Sequence, residues 1–424
     1  MNVTVLGLWH LGCVTAACSA KHHAVTGLDF DPAVIAKLQS GQAPIFEPGL
    51  DELIRAGLRS GSLSFTTDAQ AASAQADVLW VCYDTPVNEN DEPDTEFVLQ
   101  NLRRAIQHLP AGRLVLVSSQ LPVGTCRTLE AEYPQFQFAC APENLRLGKA
   151  IDAFEKPDRI VLGIRSSAQK RALEQLFGPL RAQILFMRTE SAEMLKHALN
   201  SFLALSISFI NEIARLCEAV GADAHEVALG LKTDPRIGQK AYVRPGGPFA
   251  GGTLARDVAV LENIANTTRE PVQVIPAIRK SNEHHRQWAL RKLQARLGPL
   301  TGKTVAILGL VYTPGTDTLR RSAAVELCQA ILRAGAKVKA FDPAIRTLPA
   351  HLAEIQLASN LAEALKSADA AVVCTEWTEF KSADWPELAK LMNTPLVLDP
   401  NRFLENSLQH IPNAEHIWVG QPQT

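Results

Sequence analysis

The sequence predicts an α/β protein in which two Rossmann-like, doubly wound domains are joined by a central helical domain with a long helix. Short, continuous apolar runs alternate with helical stretches over roughly the first 125 residues, which is typical of a parallel sheet covered on both faces. From about Glu190 the apolar residues recur at helical spacing instead, and the strand–helix alternation resumes after Gly298. These changes predict domains at residues 1–189, 190–298 and 299–424.

The N-terminal domain begins with a strand–turn–helix unit. The run NVTVLGL predicts the first strand, and GCVTAACSAKH predicts a helix whose small residues pack near the turn. HAVTGLDFD predicts the second strand. DPAVIAKLQSG predicts a helix beginning at Asp31 or Pro32, because aspartate caps helix N-termini and proline suits the first turn. DVLWVCYDTP and RLVLVSSQLP predict further buried strands.

The central and C-terminal parts differ in their periodicity. ESAEMLKHALNSFLALSISFINEIARLCEAVG carries an apolar face over about thirty residues, which is longer than one small domain needs. We therefore expect this helix to span domains or to lie in a dimer interface. After it, strands are predicted for four segments, KTVAILGL, KVKAFDP, DAAVVCTEW and TPLVLDP, of which TPLVLDP is expected to be the last strand of the chain. AAVELCQAILRAGA predicts a helix.

Composition excludes several classes of function. The 42 basic and 44 acidic side chains leave a net charge of −2, which gives no support to binding of nucleic acid or anionic membranes. The eight cysteines lack the spacing of a zinc site, so we expect reduced, mostly buried thiols and no metal. The apolar N-terminus has no basic segment before it, and no apolar run reaches membrane-spanning length. These features predict a cytoplasmic protein.

The turn VLGLWHLG is similar to the glycine-rich turn of a dinucleotide-binding unit, whose pattern is G-x-G-x-x-G. Gly7 and Gly12 occupy the outer glycine positions, but Trp9 stands at the middle one, where the pyrophosphate approaches the helix N-terminus. Either the indole is tolerated and NAD binds weakly or in a shifted pose, or the ring closes the site. Asp29, after the second strand, suits the ribose diol of NAD. We expect His10 to be a solvent-facing turn residue.

A series of motifs along nearly the whole chain resembles the UDP-glucose/GDP-mannose dehydrogenase family. These motifs are APIFEPGLDELI, CYDTPVNENDEPD, LPVGT, APENLRLGKAIDAFEKPDRIVLG, LKHALNSFLALSISFINEI, PFAGGTLARDV, GKTVAILGLVYTPGTDTLRRS and CTEWTEF. IFEPGLDEL is similar to the UDP-glucose branch. The resemblance implies NAD as cofactor, a UDP-linked sugar as substrate and a homodimer. Such enzymes oxidise a sugar C6 alcohol to a carboxylate in two hydride transfers, while a cysteine holds the aldehyde as a thiohemiacetal and then as a thioester.

The resemblance assigns catalytic roles to Thr125, Glu143, Lys196, Asn200, Thr253 and Asp257. Lys196 and Asn200 stand four residues apart on one face of the predicted helix, and the lysine would stabilise developing negative charge. Asp257 and Thr125 match residues that position a water, and Asp257 would help to remove the hydroxyl proton. Thr253 stands where the family has its cysteine. Because an alkyl alcohol ionises far less readily than a thiol, a thioester is excluded there.

Two further sets of residues follow from the same resemblance. The cofactor set is Gly7, Trp9, Gly12, Asp29, Thr85, Arg256 and Arg320. The substrate set is Asn144, Leu145, Arg146, Arg236, Tyr242, Gly251 and Arg402. Arg236 matches an arginine that reaches substrate across the dimer, and Arg402 would replace an arginine that the family carries one place earlier. The chain departs from the family at Leu147, which replaces a glutamate, and at Thr313, which replaces a lysine.

Three hypotheses for function remain open. The first is a nucleotide-sugar oxidoreductase that makes one hydride transfer, or oxidises and re-reduces its substrate, with Lys196 and a water bound to Asp257 as acid–base groups. The second is a catalytically silent paralogue that binds a nucleotide sugar and acts as a regulatory or partner subunit. The third is a two-step dehydrogenase that uses water on a hydrated aldehyde. Cys126 and Cys140 adjoin core strands, so we do not expect either to replace the nucleophile.

Overall fold

The computed structural model describes residues 1–86, 93–143, 145, 147–250 and 252–422. It divides into two compact units, Met1–Ala198 and Leu199–Thr424, and each unit is built on its own sheet. The three domains predicted at residues 1–189, 190–298 and 299–424 stay predictions.

The sheet of the first unit has eight strands. They are β1 (Asn2–Leu6), β2 (Ala24–Leu28), β3 (Leu63–Thr66), β4 (Val78–Val81), β5 (Leu114–Val117), β6 (Gln137–Cys140), β7 (Arg159–Gly163) and β8 (Gln183–Met187). Their order is β3-β2-β1-β4-β5-β6-β7-β8, and only β6 and β7 pair antiparallel. The predicted doubly wound fold is confirmed, and the unpredicted strands β7 and β8 extend it.

Helices cover both faces of this sheet. They are α1 (His10–Ser19), α2 (Pro32–Gln39), α3 (Leu50–Ser60), α4 (Ala69–Ser73), α5 (Thr95–Ile106), α6 (Thr125–Glu132), α7 (Ala150–Glu155) and α8 (Ser167–Phe177). Both predicted starting residues of α2 are used, since Pro32 begins the helix and the Asp31 side chain caps it. Alternate residues of β4 face the two cores, with Trp80 in one and Leu79 in the other. Burial on both faces explains why these strands are continuously apolar.

The predicted long helix is confirmed as α9 (Thr189–Val220), which has 32 residues. It continues from the first unit into the second. The helices that follow it in the second unit are α10 (Ala224–Thr233), α11 (Thr253–Thr268), α12 (Val274–Arg286) and α13 (Trp288–Leu297).

The second sheet has six parallel strands. They are β9 (Thr304–Leu308), β10 (Lys337–Phe341), β11 (Gln356–Leu357), β12 (Ala370–Val373), β13 (Leu396–Leu398) and β14 (Glu415–Ile417), in the order β11-β10-β9-β12-β13-β14. Their helices are α14 (Ala323–Arg333), α15 (Leu361–Leu365), α16 (Thr378–Lys381), α17 (Trp385–Ala389) and α18 (Glu405–Leu408). The expectation that TPLVLDP holds the last strand is wrong, because the short strand β14 follows it.

Each sheet reverses its strand order next to its first strand, between β1 and β4 in one unit and between β9 and β12 in the other. In such sheets ligands bind outside the carboxyl ends of the strands at this reversal, so both edges are candidate sites. Within the described ranges, none of the helices combines the length and the hydropathy needed to cross a membrane.

Candidate functional site

The turn between β1 and α1 is packed too tightly for side chains at its two glycines. Gly7 has a φ of 91°, and a Cβ at this position would lie 2.6 Å from the ring of Tyr83. A Cβ on Gly12 would lie 1.7 Å from the carbonyl oxygen of Gly7. Both glycines are therefore needed for the close approach of strand and helix, whatever the turn binds.

The residues between these glycines are placed differently from each other. Trp9 is the N-cap residue of α1 and is 48% exposed. The expectation that His10 faces solvent is wrong, because its Nε2 lies 2.9 Å from a carboxylate oxygen of Glu47 and its side chain is 13% exposed. The buried Glu47 also accepts from the backbone N–H groups of Gly148 at 2.7 Å and Ala150 at 2.9 Å. Glu47 thus ties the turn to the start of α7, a role that no sequence pattern indicated.

Asp29 lies where the ribose of a dinucleotide would approach. Its carboxylate accepts from the backbone N–H of Leu8 at 2.7 Å and of Asp31 at 3.0 Å. Since carboxylate oxygens accept more than one hydrogen bond, these contacts leave room for a ribose hydroxyl, and Asp29 fits the ribose of NAD. The hydroxyl of buried Thr85 donates to the carbonyl of Gln120 at 2.8 Å, so this predicted cofactor residue holds its own loop.

Asp84 belongs to the DTP segment at residues 84–86, from which only Thr85 was predicted as a cofactor residue. It follows β4, and its Oδ2 accepts from the backbone N–H of Leu11 in the first turn of α1 at 3.2 Å. Burial raises the pKa of the Cys13 thiol, and the negative charges of Asp84 and Asp29 raise it further. The place where a dinucleotide diphosphate would meet the helix therefore contains a carboxylate, which the diphosphate of NAD must displace from Leu11 in order to bind there.

The predicted catalytic pair of the first unit is in contact. The Nζ of Lys196 on α9 donates to the backbone carbonyl of Glu143. Leu145, a predicted substrate residue, packs its partly buried side chain against the core of the sheet. The predicted substrate residues Asn144 and Arg146 lie outside the described residues.

The loop of LPVGT is held by a second buried carboxylate. Glu193 on α9 accepts from the backbone N–H of Gly124 at 2.6 Å and of Cys126 at 3.0 Å, which caps the start of α6. The hydroxyl of Thr125 donates to the carbonyl of Pro122 at 2.6 Å. Glu193 was not predicted as a site residue, although a glutamate on the apolar face of a helix was a signal for such a role.

The predicted catalytic residues of the second unit lie at the start of α11. Thr253 is its first residue and is exposed, whereas Asp257, one turn later, is completely buried. The amide nitrogen of Asn200 donates to the carboxylate of Asp257, so the structure brings these two predicted residues together. Arg256 is half-buried beside them, and Gly251 lies outside the described residues.

Two side chains hold the loop before α11, and neither was predicted. His285 is buried, and its Nε2 lies 2.8 Å from the carbonyl of Gly246. Because Arg215 donates to Nδ1 at 3.1 Å, the imidazole is neutral and donates through Nε2. Burial lowers its pKa to about 4. Asn282 makes both hydrogen bonds with the backbone of Phe249, at 3.0 and 2.9 Å.

Asn401, after β13, holds the same loop from the sheet. Its Oδ1 accepts from the N–H of Gly247 at 2.8 Å, and its carbonyl accepts from the guanidinium of Arg244 at 2.7 Å. A Cβ on Gly246 would lie 2.2 Å from the same Oδ1, so the loop requires glycine at this approach. The loop is therefore fixed by hydrogen bonds rather than by apolar packing alone.

A cavity of about 640 Å³ lies in the second unit between this loop, α13, α14 and the carboxyl ends of β12 and β13. Asn401 and His285 line it, as do the half-exposed rings of Tyr242 and Tyr312. Its volume is within the range of small-molecule sites, and it lies at the reversal of strand order. Arg320 is exposed in the segment between β9 and α14.

Two predicted substrate arginines have partners of their own. The guanidinium of Arg402 lies 4.7 Å from the ring centre of Trp418 and pairs with Glu405. The preceding residue, Asn401, lines the cavity. Arg236 pairs with Asp234 at 2.7 Å, and its side chain is 87% exposed. The roles of both arginines toward substrate stay predictions.

Comparison with known families and proteins agrees with this architecture. Residues 1–181 match the NAD binding domain of the UDP-glucose/GDP-mannose dehydrogenase family, residues 190–284 its central domain and residues 306–406 its UDP binding domain. The cofactor indicated by this domain type is NAD.

Relatives of known name cover nearly the whole chain. UDP-glucose 6-dehydrogenase of Rhizobium meliloti is 36% identical over 414 residues, which are 94% of this chain and 94% of that protein. UDP-glucose 6-dehydrogenase YwqF of Bacillus subtilis is 34% identical over 409 residues, covering 94% and 93%. The structure of a UDP-glucose dehydrogenase from Pyrobaculum islandicum superposes with a TM-score of 0.88 at 30% identity, covering 99% and 98%. The chain belongs to the UDP-glucose/GDP-mannose dehydrogenase family.

Proposed function

We propose that this chain binds a nucleotide sugar in the cavity of its second unit. The observation that carries this proposal is the cavity itself, which lies at the carboxyl edge of the sheet. Residues from the part that matches the family's UDP binding domain and from the part that matches its central domain line it. Tyr242 and Tyr312 offer two half-exposed aromatic faces, which suit stacking on a base. The loop before α11, which His285, Asn282 and Asn401 hold by hydrogen bonds, offers a fixed wall for the rest of the ligand.

The four-electron oxidation of the family is not part of the proposed function. Thr253 begins α11, and its alcohol cannot form the thioester through which that oxidation proceeds. Cys126 and Cys140 do not replace it. Their contact and burial raise the pKa of the Cys126 thiol well above its usual range, which keeps it a poor nucleophile.

A second candidate is a single two-electron oxidation of the sugar alcohol, in which the hydroxyl proton would pass to Asp257 and the hydride to NAD. The contact of Asn200 with Asp257 favours this candidate. A completely buried carboxylate held by an amide is suited to accept a hydroxyl proton directly or through water. The resemblance gives Lys196, in the first unit, the role of stabilising the resulting alkoxide, and this role stays a prediction. The alternative without turnover is a silent subunit that acts through a partner.

We propose further that the chain pairs with a second copy along α9. Phe202, Phe209 and Leu216 stand seven residues apart and are all exposed, so they form one apolar stripe on this helix. Apolar residues repeated at this spacing pack against another helix, and monomers rarely leave such a stripe in water.

Calorimetric titration tests the binding proposal. UDP-glucose, UDP-N-acetylglucosamine and UDP are titrated into the full chain, and the variant Tyr312→Ala is expected to weaken binding about tenfold, as loss of one stacked base does. Phe46→Ala, which removes an exposed ring of the first unit, is the matched control and should bind as the wild type does. Absence of binding of all three ligands to the wild type would overturn the proposal. Appearance of NADH absorbance on addition of NAD would select the second candidate over the silent subunit.

A further inference from the structure

We infer that Asp84 sets the cofactor selectivity of the first unit, because its carboxylate holds the anion position at the N-terminus of α1. This inference concerns a different unit from the nucleotide-sugar proposal and does not depend on it. It predicts that the wild-type chain discriminates against ligands that carry a diphosphate, although the surrounding turn keeps the geometry of a dinucleotide-binding unit.

The position of Asp84 follows from the sheet. β4 pairs with β1 in parallel, and the N–H of Cys82 continues the pairing by donating to the carbonyl of Leu6 at 2.8 Å. Asp84 therefore leaves the sheet at the reversal of strand order, directly beside the start of α1. Its contact with the N–H of Leu11 at 3.2 Å is the observed result.

The Asp84 carboxylate competes with a diphosphate for the N–H groups at the start of α1. The first turn of a helix presents N–H groups without intrahelical partners and a partial positive charge, which together attract one anion. Asp84 uses this attraction for its own carboxylate. A diphosphate arriving at the same helix end must displace the carboxylate from Leu11 and then remain next to a like charge.

The effect of the Asp84 charge on ligand binding can be separated from the effect of the Trp9 side chain's size. Trp9 is neutral and half-exposed at the N-cap, so any effect of its ring on a diphosphate arises from its size and not from charge. Asp84→Asn keeps the shape of the side chain and removes the charge. Asp68→Asn is the matched control, because Asp68 caps α4 through the N–H groups of Gln70 and Ala71 and undergoes the same change of charge.

The experiment compares NAD, ADP-ribose and adenosine on the wild type, Asp84→Asn, Asp68→Asn and the double variant Trp9→Gly/Asp84→Asn. NAD and ADP-ribose carry the diphosphate, and both are expected to bind Asp84→Asn on the order of tenfold tighter than the wild type. Adenosine lacks the diphosphate, and its affinity should be the same in both. Asp68→Asn should behave as the wild type with all three ligands.

Equal affinity for NAD in the wild type, Asp84→Asn and the double variant, including no detectable binding to any of them, would overturn the inference. A gain with adenosine as large as the gain with NAD would also overturn it, because the effect would then not arise at the diphosphate. UDP-glucose titrated into the same proteins reports separately on the second unit. Failure of the nucleotide-sugar proposal is therefore distinguishable from failure of this one.

Discussion

The buried imidazole of His285 makes the stability of the second unit depend on pH. Its folded pKa is about 4, against 6.5 for an exposed histidine, because burial disfavours the charged form. The charges of Arg215 and Arg291 lower the pKa further, whereas the hydrogen bond to Gly246 and the charge of Glu218 oppose the shift. Between these pH values the unfolded chain binds a proton that the folded chain does not. The free energy of unfolding must therefore fall as pH falls.

The size of this effect follows from the two pKa values. Each unit of difference corresponds to about 1.4 kcal/mol, so His285 removes about 2 kcal/mol between pH 8 and pH 5. The loss reaches about 3 kcal/mol at pH 4, where the folded imidazole itself begins to accept the proton. Above about pH 8 both states are neutral at this residue, and His285 contributes no slope.

Urea unfolding at a series of pH values tests this prediction by tryptophan fluorescence, since four of the six tryptophans lie in residues 199–424. His285→Gln retains an amide that can donate to Gly246, but it cannot be protonated. The difference in unfolding free energy between wild type and variant should therefore shrink by about 2 kcal/mol between pH 8 and pH 5. His284→Gln, at the exposed neighbour, should leave most of the slope unchanged. Parallel pH profiles for wild type and His285→Gln would refute the reasoning.

Three further predictions concern packing and assembly. Gly12→Ala should destabilise the first unit by about 3 kcal/mol in urea unfolding, because its Cβ would lie 1.7 Å from a carbonyl oxygen; an unchanged midpoint would contradict this. Glu47→Gln should speed hydrogen exchange of the Gly148 and Ala150 amides at least tenfold, because they lose a charged acceptor; unchanged exchange of these two amides would show that the carboxylate does not hold them. Phe209→Asp should give a monomer by light scattering. Phe46→Asp, which changes an exposed phenylalanine elsewhere on the surface, should have the same oligomeric state as the wild type. A Phe209→Asp dimer would argue against pairing along α9.

The parts of the fold that periodicity predicts are those buried on two faces. Four of the five residues of β1 and of β9 are buried, as are all four of β4, and each strand stands next to a glycine or polar turn. The helical spacing of α9 extends over its whole length. β14 was missed because it has only three residues, of which one is buried. Its place in the sheet depends on hydrogen bonds to β13, and these bonds leave no pattern in the sequence.

Contacts between site residues could be predicted only where both residues lie in motifs whose residue types and spacing indicate their positions. The pairing of Asn200 with Asp257 connects two helices whose positions the motifs indicated. Glu47, Asn401 and Asp84 were missed because each acts on the backbone of a distant segment. A carboxylate or amide that binds main-chain N–H groups imposes no side-chain pattern on its partner, so one sequence does not reveal it.

The two sheets place a glycine in the same conformation directly after their first strands. Gly309 after β9 has a φ of 92°, close to the 91° of Gly7 after β1, and each glycine lies against the residue that follows the neighbouring strand by two positions. That residue is Tyr83 in the first unit and Thr375 in the second. The two glycines are therefore equivalent, although the segment from β9 to α14 is longer than the turn from β1 to α1, and the side chains around the glycines differ.

The next residue along the chain supplies this difference. In the first unit it is Asp84, whose carboxylate accepts from the first turn of α1. In the second unit it is Glu376, whose carboxylate lies 3.9 Å from the guanidinium of Arg244, and the start of α14 is capped instead by Ser322. Glu376 therefore lies beside an arginine, whereas Asp84 lies beside a helix N-terminus. The electrostatic potential at the carboxyl edge consequently differs between the two sheets. The two sheets thus share a strand order but present different charges where that order reverses, and the titrations of the Asp84 variants measure what this difference does to diphosphate binding.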